Sequence, residues 1–175
     1  TDVLFLLGAD EMDMRKRRQG GFTVYIGTHG DIGAHHADVI LPASAYTEKT
    51  ATYVNTEGRV QVTTRAGFAP GEAKEDWAIL RALSDVLGHK LPFDSLAELR
   101  AQLYATHPHF ARIDQIEPGK PGDIAALAKK GGETDKSAFA SPVKDFYLTN
   151  PIARASAVMA ECSSLARESF AQAAE

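Results

Sequence analysis

The stretch TDVLFLLGADEMDMRKRRQGGFTVYIGTHGDIGAHHADVILP, residues 1–42, decides the fold. It contains three short apolar runs rich in β-branched and aromatic residues, at 3–7, 22–26 and 38–41. The first run is typical of a strand buried on both faces of a parallel sheet, the second predicts another strand, and the third predicts a buried strand stopped by Pro42. The segments between them, 10–18 and 30–37, each predict a short helix. Strand, helix, strand, helix, strand is the order of a parallel α/β sheet.

The next part of the chain predicts a hairpin and two helices. Tyr53–Asn55 and Val60–Thr64 flank Thr56-Glu57-Gly58, a turn sequence between two β-prone runs. Trp77, Leu80, Leu83 and Leu87 recur at helical spacing and predict a helix over 74–87, stopped by Gly88. Ser95 and Glu98 form a capping-box pattern before Leu96, Leu99 and Leu103. The predicted fold class is α/β, with a partial parallel sheet, short helices and a hairpin.

The chain ends in a helical extension that follows a loose connector. We expect residues 1–116 to belong to the α/β domain, 117–141 to form a flexible connector rich in proline and glycine, and 142–175 to form a tail helix. Asn150-Pro151 is a strong helix start. Behind it a single apolar stripe is predicted, which must dock on its own domain or on a partner: Ile152, Ala155, Met159, Cys162, Ala166 and Phe170.

Composition excludes several classes of protein. The 175 residues carry a net charge of −4, which argues against a nucleic-acid surface. No apolar run approaches the roughly 20 residues of a transmembrane helix, so direct membrane insertion is not expected. Cys162 is the single cysteine, which excludes an intrachain disulfide and an iron–sulfur cluster with four cysteine ligands from this chain. Thr1 precedes a strand-like run almost at once, a pattern that suggests a portion of a longer protein.

Polar residues crowd the stretch from His35 to Gln61, yet they form no complete catalytic constellation. His35 and His36 are adjacent and would point about 100° apart on a helix, and His29 adds no metal-binding spacing. Ser44 lacks the small-residue elbow of a hydrolase nucleophile. We therefore predict no catalytic, cofactor-binding or metal-binding residue.

The remaining polar groups have simpler interpretations. Nothing in the sequence places Glu48 and Glu57 at a defined separation, and Glu48 is expected to accept from backbone amides or to pair with Lys49 or Arg59. The glycines of GTHGDIG, Gly27 to Gly33, do not match the spacing of a phosphate-cradling loop. The basic run Arg15–Arg18 is expected to complement the negative pole of a helix ending there, with an acidic partner as the alternative.

From Val24 onward the sequence resembles a known family. Three segments resemble the C-terminal region of the large iron–sulfur subunit of respiratory complex I, the NADH:quinone oxidoreductase. They are VYIGTHGDIGAHHADVILPASAYTEKTATYVNTEGRVQ, which begins at Val24, PGEAKEDWAILRALSDVLG at 70–88, and VKDFYLTNPIARASAVMAEC at 143–162. The ADVILP and NTEGR elements are shared with molybdopterin oxidoreductases in general. The KDFY tail distinguishes the complex I subunit.

The resemblance implies a molybdopterin oxidoreductase-like fold without a molybdenum cofactor, and a role in packing and assembly. It implies iron–sulfur clusters in an upstream part, and contacts with that part and with other complex I subunits. Isolated from its parent, the chain should expose a sheet edge and a helix face, so self-association is expected. The implied place is the peripheral arm, on the cytoplasmic side of a bacterial inner membrane or in the mitochondrial matrix. The alternative is a portion of a catalytic molybdopterin enzyme, such as a formate dehydrogenase or nitrate reductase. The loop Thr28–Gly33 lacks the Thr-Glu-Thr-like run more usual in those enzymes.

Overall fold

The computed structural model describes residues 1–119 and 121–172. Three parallel strands form a sheet in the order β1 (Val3–Leu7), β2 (Phe22–Gly27), β3 (Val39–Pro42). Leu6 lies opposite Tyr25, and Tyr25 lies opposite Ile40. The crossover from β2 to β3 contains helix α1 (Ile32–His35). The predicted parallel α/β class is confirmed.

The two faces of the sheet are covered unequally. On one face Leu6, Tyr25, Met14 and Ala34 form a buried apolar cluster. On the other, Val24, Ile26 and Ala43 pack against Ile79 and Leu80 of helix α2 (Asp76–Val86). Only the central strand β2 is buried on both faces.

The predictions that β1 is buried on both faces and that β3 is a buried strand are therefore wrong. Val3, Phe5 and Leu7 alternate along β1 onto one face and are 48%, 39% and 52% exposed. Val39 and Ile40 of β3 are also exposed. Helix α2 packs on β2 near β3 and does not reach β1. One apolar face of β1 is therefore left exposed.

The predicted helix over 10–18 is also wrong. Only a single 3-10 turn, Met14–Lys16, forms there, with Asp13 accepting from the Arg15 amide at its start. Met14 is its one buried residue, so the segment has no apolar stripe that would stabilise a longer helix.

The hairpin and the two middle helices agree with the predictions. Strands β4 (Thr52–Val54) and β5 (Val60–Val62) pair antiparallel, and Gly58 takes the positive φ that the turn requires. Helix α2 is closed by Gly88, also at positive φ. In helix α3 (Leu96–Thr106) the Ser95 hydroxyl caps the Glu98 amide.

The connector, for which the sequence predicts one helical turn around 124–130, contains a helix, α4 (Pro121–Ala128). The structure of the tail, which we define as residues 143–172, differs from the single predicted helix. A 3-10 turn, Phe146–Leu148, precedes helix α5 (Pro151–Arg154) and helix α6 (Ala157–Gln172). Asn150 caps α5 as predicted. The Ser156 hydroxyl accepts from the Met159 amide at 3.4 Å and so caps the start of α6. The predicted apolar stripe is therefore divided between two helices.

The predicted stripe is only partly covered. Met159, Cys162 and Ala166 are half-buried, whereas Ile152 and Ala155 are exposed, and the Phe170 side chain lies outside the described residues. Within the described ranges, no helix is both long and apolar enough to cross a membrane.

Candidate functional site

A cleft of about 790 Å³ lies at the carboxyl edge of the parallel sheet. Each strand contributes its end to the same cleft: Leu7 ends β1 and Gly8 follows it, Gly27 ends β2 and Thr28 follows it, and Ala43 to Tyr46 follow β3. This edge is where open α/β sheets bind ligands, since loops from neighbouring strands converge there. It is therefore the candidate site.

The opposite wall of the cleft comes from the tail. Residues Asn150 to Ala153, together with Ser156 and Met159, line it. Met159 of the predicted stripe therefore faces the cleft and is half-buried there, and the choice between the chain's own domain and a partner stays a prediction for the rest of the stripe. The tail and the strand ends together form the cleft.

Buried polar groups hold the sheet side of the cleft in place. Asp10 is 2% exposed, accepts from the Tyr25 hydroxyl at 2.7 Å and from the Gly33 amide at 3.1 Å. Burial, and then the hydrogen bond to Asp10, raise the pKa of the Tyr25 phenol well above its ordinary value. The amide at the start of α1 is thus already bound to a carboxylate.

Charged side chains at the cleft are paired with one another. Lys49 forms an ion pair with Asp76 at the start of α2. Arg154 of α5 forms an ion pair with Asp31, lies 3.4 Å from Glu11, and donates to the Leu148 carbonyl at 3.2 Å. Glu11 follows β1 and Asp31 follows β2, so Arg154 joins the tail to both loops.

The histidines and the serine that the sequence singled out do not converge. His29 bonds to the Thr28 hydroxyl at 2.8 Å, and the His36 ring bonds to the Ile32 carbonyl at 2.8 Å. Ser44 is buried, and its backbone amide donates to the Lys74 carbonyl at 2.8 Å. In the described part of the chain, no group of three His, Cys, Asp or Glu residues is arranged to hold a metal ion.

The acidic residues have structural partners. Glu48 accepts from the Ala45 amide at 2.9 Å, which confirms the expected backbone contact. Glu57 lies 3.7 Å from Arg59. Lys49 pairs with Asp76 instead of Glu48.

The helix-pole explanation for the basic run is wrong, because only a single 3-10 turn, and no longer helix, ends there. Arg15 pairs with Asp13 and Arg18 with Asp2. Arg17 donates to the Thr23 hydroxyl at 2.6 Å and to the His36 carbonyl at 2.9 Å. Three of the four cations therefore serve local contacts.

Sequence reasoning missed Asp10, Asp31 and Arg154. Asp10 and Asp31 carried a usable signal, since both come shortly after a predicted strand, where parallel strands bring loops together. Arg154 carried none, because its partners lie more than 120 residues away.

Comparison with known proteins agrees with this architecture. The profile of the molybdopterin oxidoreductase family matches residues 1–86, which contain the sheet, the hairpin and α2. These residues therefore define a molybdopterin oxidoreductase-like α/β domain. A second profile describes the C-terminal region of an NADH-ubiquinone oxidoreductase subunit and matches residues 115–162, which contain the connector and most of the tail.

Individual relatives identify the particular protein family. The chain is 50% identical over 162 residues to the NADH-ubiquinone oxidoreductase 75 kDa subunit of Reclinomonas americana, covering 93% of this chain and 23% of the relative. It is 46% identical over 168 residues to the mitochondrial 78 kDa subunit of Candida albicans, with 92% and 23% covered. The mitochondrial NADH dehydrogenase [ubiquinone] iron-sulfur protein 1 of Solanum tuberosum is 40% identical over 165 residues, with 94% and 22% covered.

The chain therefore belongs to the family of the 75/78 kDa subunit of NADH-ubiquinone oxidoreductase, and it matches a C-terminal-type portion of it. It spans less than a quarter of the length of these relatives.

The residues of the cleft do not fit a phosphate-bearing cofactor of the kind that the molybdopterin fold implies. Phosphates bind where free amides and cations meet at the start of a helix. Here the Gly33 amide is bound to Asp10, Asp31 stands at the start of α1, and Lys49 is paired with Asp76. A phosphate would meet carboxylates instead, so we derive no chemistry through such a group.

Proposed function

We propose that this chain is the structural C-terminal part of the iron–sulfur subunit of a proton-pumping NADH:quinone oxidoreductase and performs no bond-making itself. The whole complex would transfer electrons from NADH to quinone, while this part serves packing and assembly. The observation that carries the proposal is the uncovered apolar face of β1, formed by Val3, Phe5 and Leu7 with Phe22 beside them. An exposed apolar face of this kind marks a surface that contacts another element or chain.

The proposed partner of this face is the remainder of the same subunit. The relatives are more than four times as long as the matched region, so ample chain is available to cover β1. The iron–sulfur clusters would lie in that remainder, since one cysteine cannot supply four ligands. Other subunits of the complex would contact further surfaces, and nucleic acid is not a partner because the chain is acidic.

The proposed location is the peripheral arm of the complex. This would place the chain on the cytoplasmic side of a bacterial inner membrane or on the matrix side of a mitochondrial one. Both compartments are reducing, which is consistent with the free Cys162.

The test is assembly of the complex with a substituted parent protein. Phe5→Lys places a charge on the apolar face, where burial of an unpaired charge costs several kcal/mol, so the assembled complex should decrease on native gels. Ile124→Lys, at an exposed apolar position on α4, is the matched control and should assemble normally. Normal assembly of the Phe5→Lys complex would refute the packing role.

The tail offers a second assembly test. Met159→Glu introduces a charge at a half-buried position against the cleft and should also lower assembly. In complex that does assemble, the electron paramagnetic resonance signals of the clusters should be unchanged, because this part would hold none. Altered cluster signals would show that the region takes part in cluster binding.

The alternative, a portion of a catalytic molybdopterin oxidoreductase, is supported by the profile match over residues 1–86. The tail match over 115–162 favours the complex I subunit instead. Stoichiometric molybdenum or tungsten in the purified parent protein would reverse this preference.

A further inference from the structure

We infer that the tail acts as a strap, by which we mean a segment that covers the cleft and is held there by the ion pairs of Arg154. When these ion pairs are broken, the tail moves away from the cleft as a unit. The inference concerns this chain alone and does not depend on the proposed role in complex I. It starts from the position of the tail across the ends of all three strands.

Arg154 holds the tail against the α/β domain. Within the described residues, the hydrogen bonds that link the tail to the α/β domain all come from this guanidinium, which contacts Asp31 and Glu11. The Arg154 and Asp31 side chains are 24% and 19% exposed, so their ion pair is partly shielded from solvent. Partial shielding strengthens an ion pair relative to one at the open surface.

The segment that carries Arg154 cannot hold itself in place. Helix α5 has four residues, and a helix of that length is unstable without outside contacts. The apolar contact that the tail makes at the cleft is small, since Ile152 is 43% exposed and Met159 is half-buried. The ion pair between Arg154 and Asp31 therefore decides whether α5 remains against the ends of the strands.

The tail has internal bonds that would let it move as one body. Ser163 of α6 donates to the Asp145 carboxylate, and Asp145 in turn accepts from the Tyr147 amide at 3.0 Å. Arg167 donates to the Ser163 hydroxyl at 2.7 Å. These bonds connect α6 to the 3-10 turn and do not involve the sheet, so they survive when Arg154 is released.

Opening would uncover the carboxyl edge, including Lys49. This lysine lines the cleft and is 20% exposed in the closed state. Its reactivity therefore reports on the position of the strap.

The experiment compares wild type with Arg154→Ala in the 175-residue chain, by hydrogen exchange and by acetylation with acetic anhydride. We expect amide exchange across residues 146–163 and the loop 27–33 to accelerate on the order of tenfold, with α3 unchanged. Acetylation of Lys49 should rise relative to Lys90, a matched lysine that is also paired with an aspartate. Arg18→Ala, which removes an exposed arginine–aspartate pair, is the control and should change neither readout.

A charge exchange completes the test. Arg154→Asp combined with Asp31→Arg should recover part of the lost protection, which neither substitution should achieve alone. The inference is overturned if Arg154→Ala leaves tail exchange at the wild-type rate. It is equally overturned if exchange accelerates by the same factor in α3, since that would indicate global destabilisation and no separate strap.

Discussion

Arg154 and Asp31 are 123 residues apart in the sequence and form an ion pair across the carboxyl edge of the sheet. Asp31 stands at the start of α1, in the loop that follows β2, and Arg154 ends α5. The pair joins the part of the chain that matches molybdopterin oxidoreductases to the part that matches the C-terminal profile of the NADH-ubiquinone oxidoreductase family. The ion pair therefore links the two matched regions at the cleft.

Tyr25→Phe should destabilise the domain. The substitution removes the hydroxyl that donates to Asp10 and leaves a buried carboxylate short of one donor. A buried acceptor left without its donor costs about 1–3 kcal/mol in the free energy of unfolding, which denaturant titration measures. Tyr46→Phe is the matched control, since Tyr46 is exposed and should change stability by less than about 0.5 kcal/mol. Equal stability of the two variants would contradict the role of the Tyr25–Asp10 bond.

The same tyrosine should make stability depend on alkaline pH. Burial raises the pKa of Tyr25 in the folded state above its unfolded value of about 10. The neutral phenol therefore contributes fully below pH about 10, and its contribution is lost as the pH rises above that value. The stability difference between wild type and Tyr25→Phe should shrink there by up to about 1.4 kcal/mol per pH unit. A difference that stays constant from pH 8 to about 11 would contradict the shifted pKa.

Gly33→Ala should be more destabilising than an ordinary glycine substitution. A Cβ at this position would lie 2.7 Å from the Ala9 carbonyl oxygen and 3.1 Å from the Asp10 carboxylate, so the crossover would have to shift. Overpacking of this kind costs about 1–3 kcal/mol. Gly67→Ala is the control, because its Cβ would meet no atom within 4 Å. Thermal unfolding of both variants checks the prediction, and a neutral Gly33→Ala would show that the crossover is loosely packed.

How far the sequence predicts the fold depends on the range of the interactions involved. The positions of β1, β2, the hairpin and α3 follow from local periodicity and from capping residues such as Ser95, which act within a few positions. Local periodicity does not predict how many faces of β1 are covered. An apolar run such as Val3–Leu7 has the same sequence whether one face or both are packed.

The same distinction separates what could and could not be predicted at the site. The backbone contact of Glu48 follows from its place after β3, a local relation. The wall that the tail adds to the cleft depends on Arg154 reaching Asp31, and periodicity carries no information about such a contact. The break between α5 and α6 does have a local signal in Ser156, a good capping residue, but the continuous apolar stripe around it predicts a single helix.

Acid should loosen the tail through Asp145. The hydrogen bond from Ser163, followed by the Tyr147 amide, holds the pKa of Asp145 below its ordinary value. A folded-state pKa below the unfolded value gives a contribution that is present above pH about 4 and is lost as the pH falls below that value. Tail protection factors, corrected for intrinsic exchange, should therefore decrease on acidification in wild type.

The Asp145→Asn variant should show weaker tail protection at neutral pH and a smaller further loss in acid than wild type, because the carboxylates that hold Arg154 still titrate. Asp135→Asn is a suitable control, because the pKa of Asp135 is also lowered, by the Ser137 amide within the connector, away from the tail. If both variants behave alike, Asp145 does not anchor α6.

The isolated chain should self-associate through the uncovered face of β1. Val3, Phe5, Leu7 and Phe22 form a contiguous exposed apolar surface, and β1 is an edge strand with unpaired backbone groups. Exposed edges and apolar patches of this kind promote pairing with another chain. Sedimentation velocity should show a mass average that rises with concentration, and Phe5→Lys should return the chain to a monomer, because a lysine on an edge strand opposes pairing.

Phe68→Lys alters another exposed phenylalanine, outside the sheet, and should leave association unchanged. A wild-type chain that stays monomeric at high concentration would show that the β1 face tolerates water, and the packing role proposed for it would lose its physical basis.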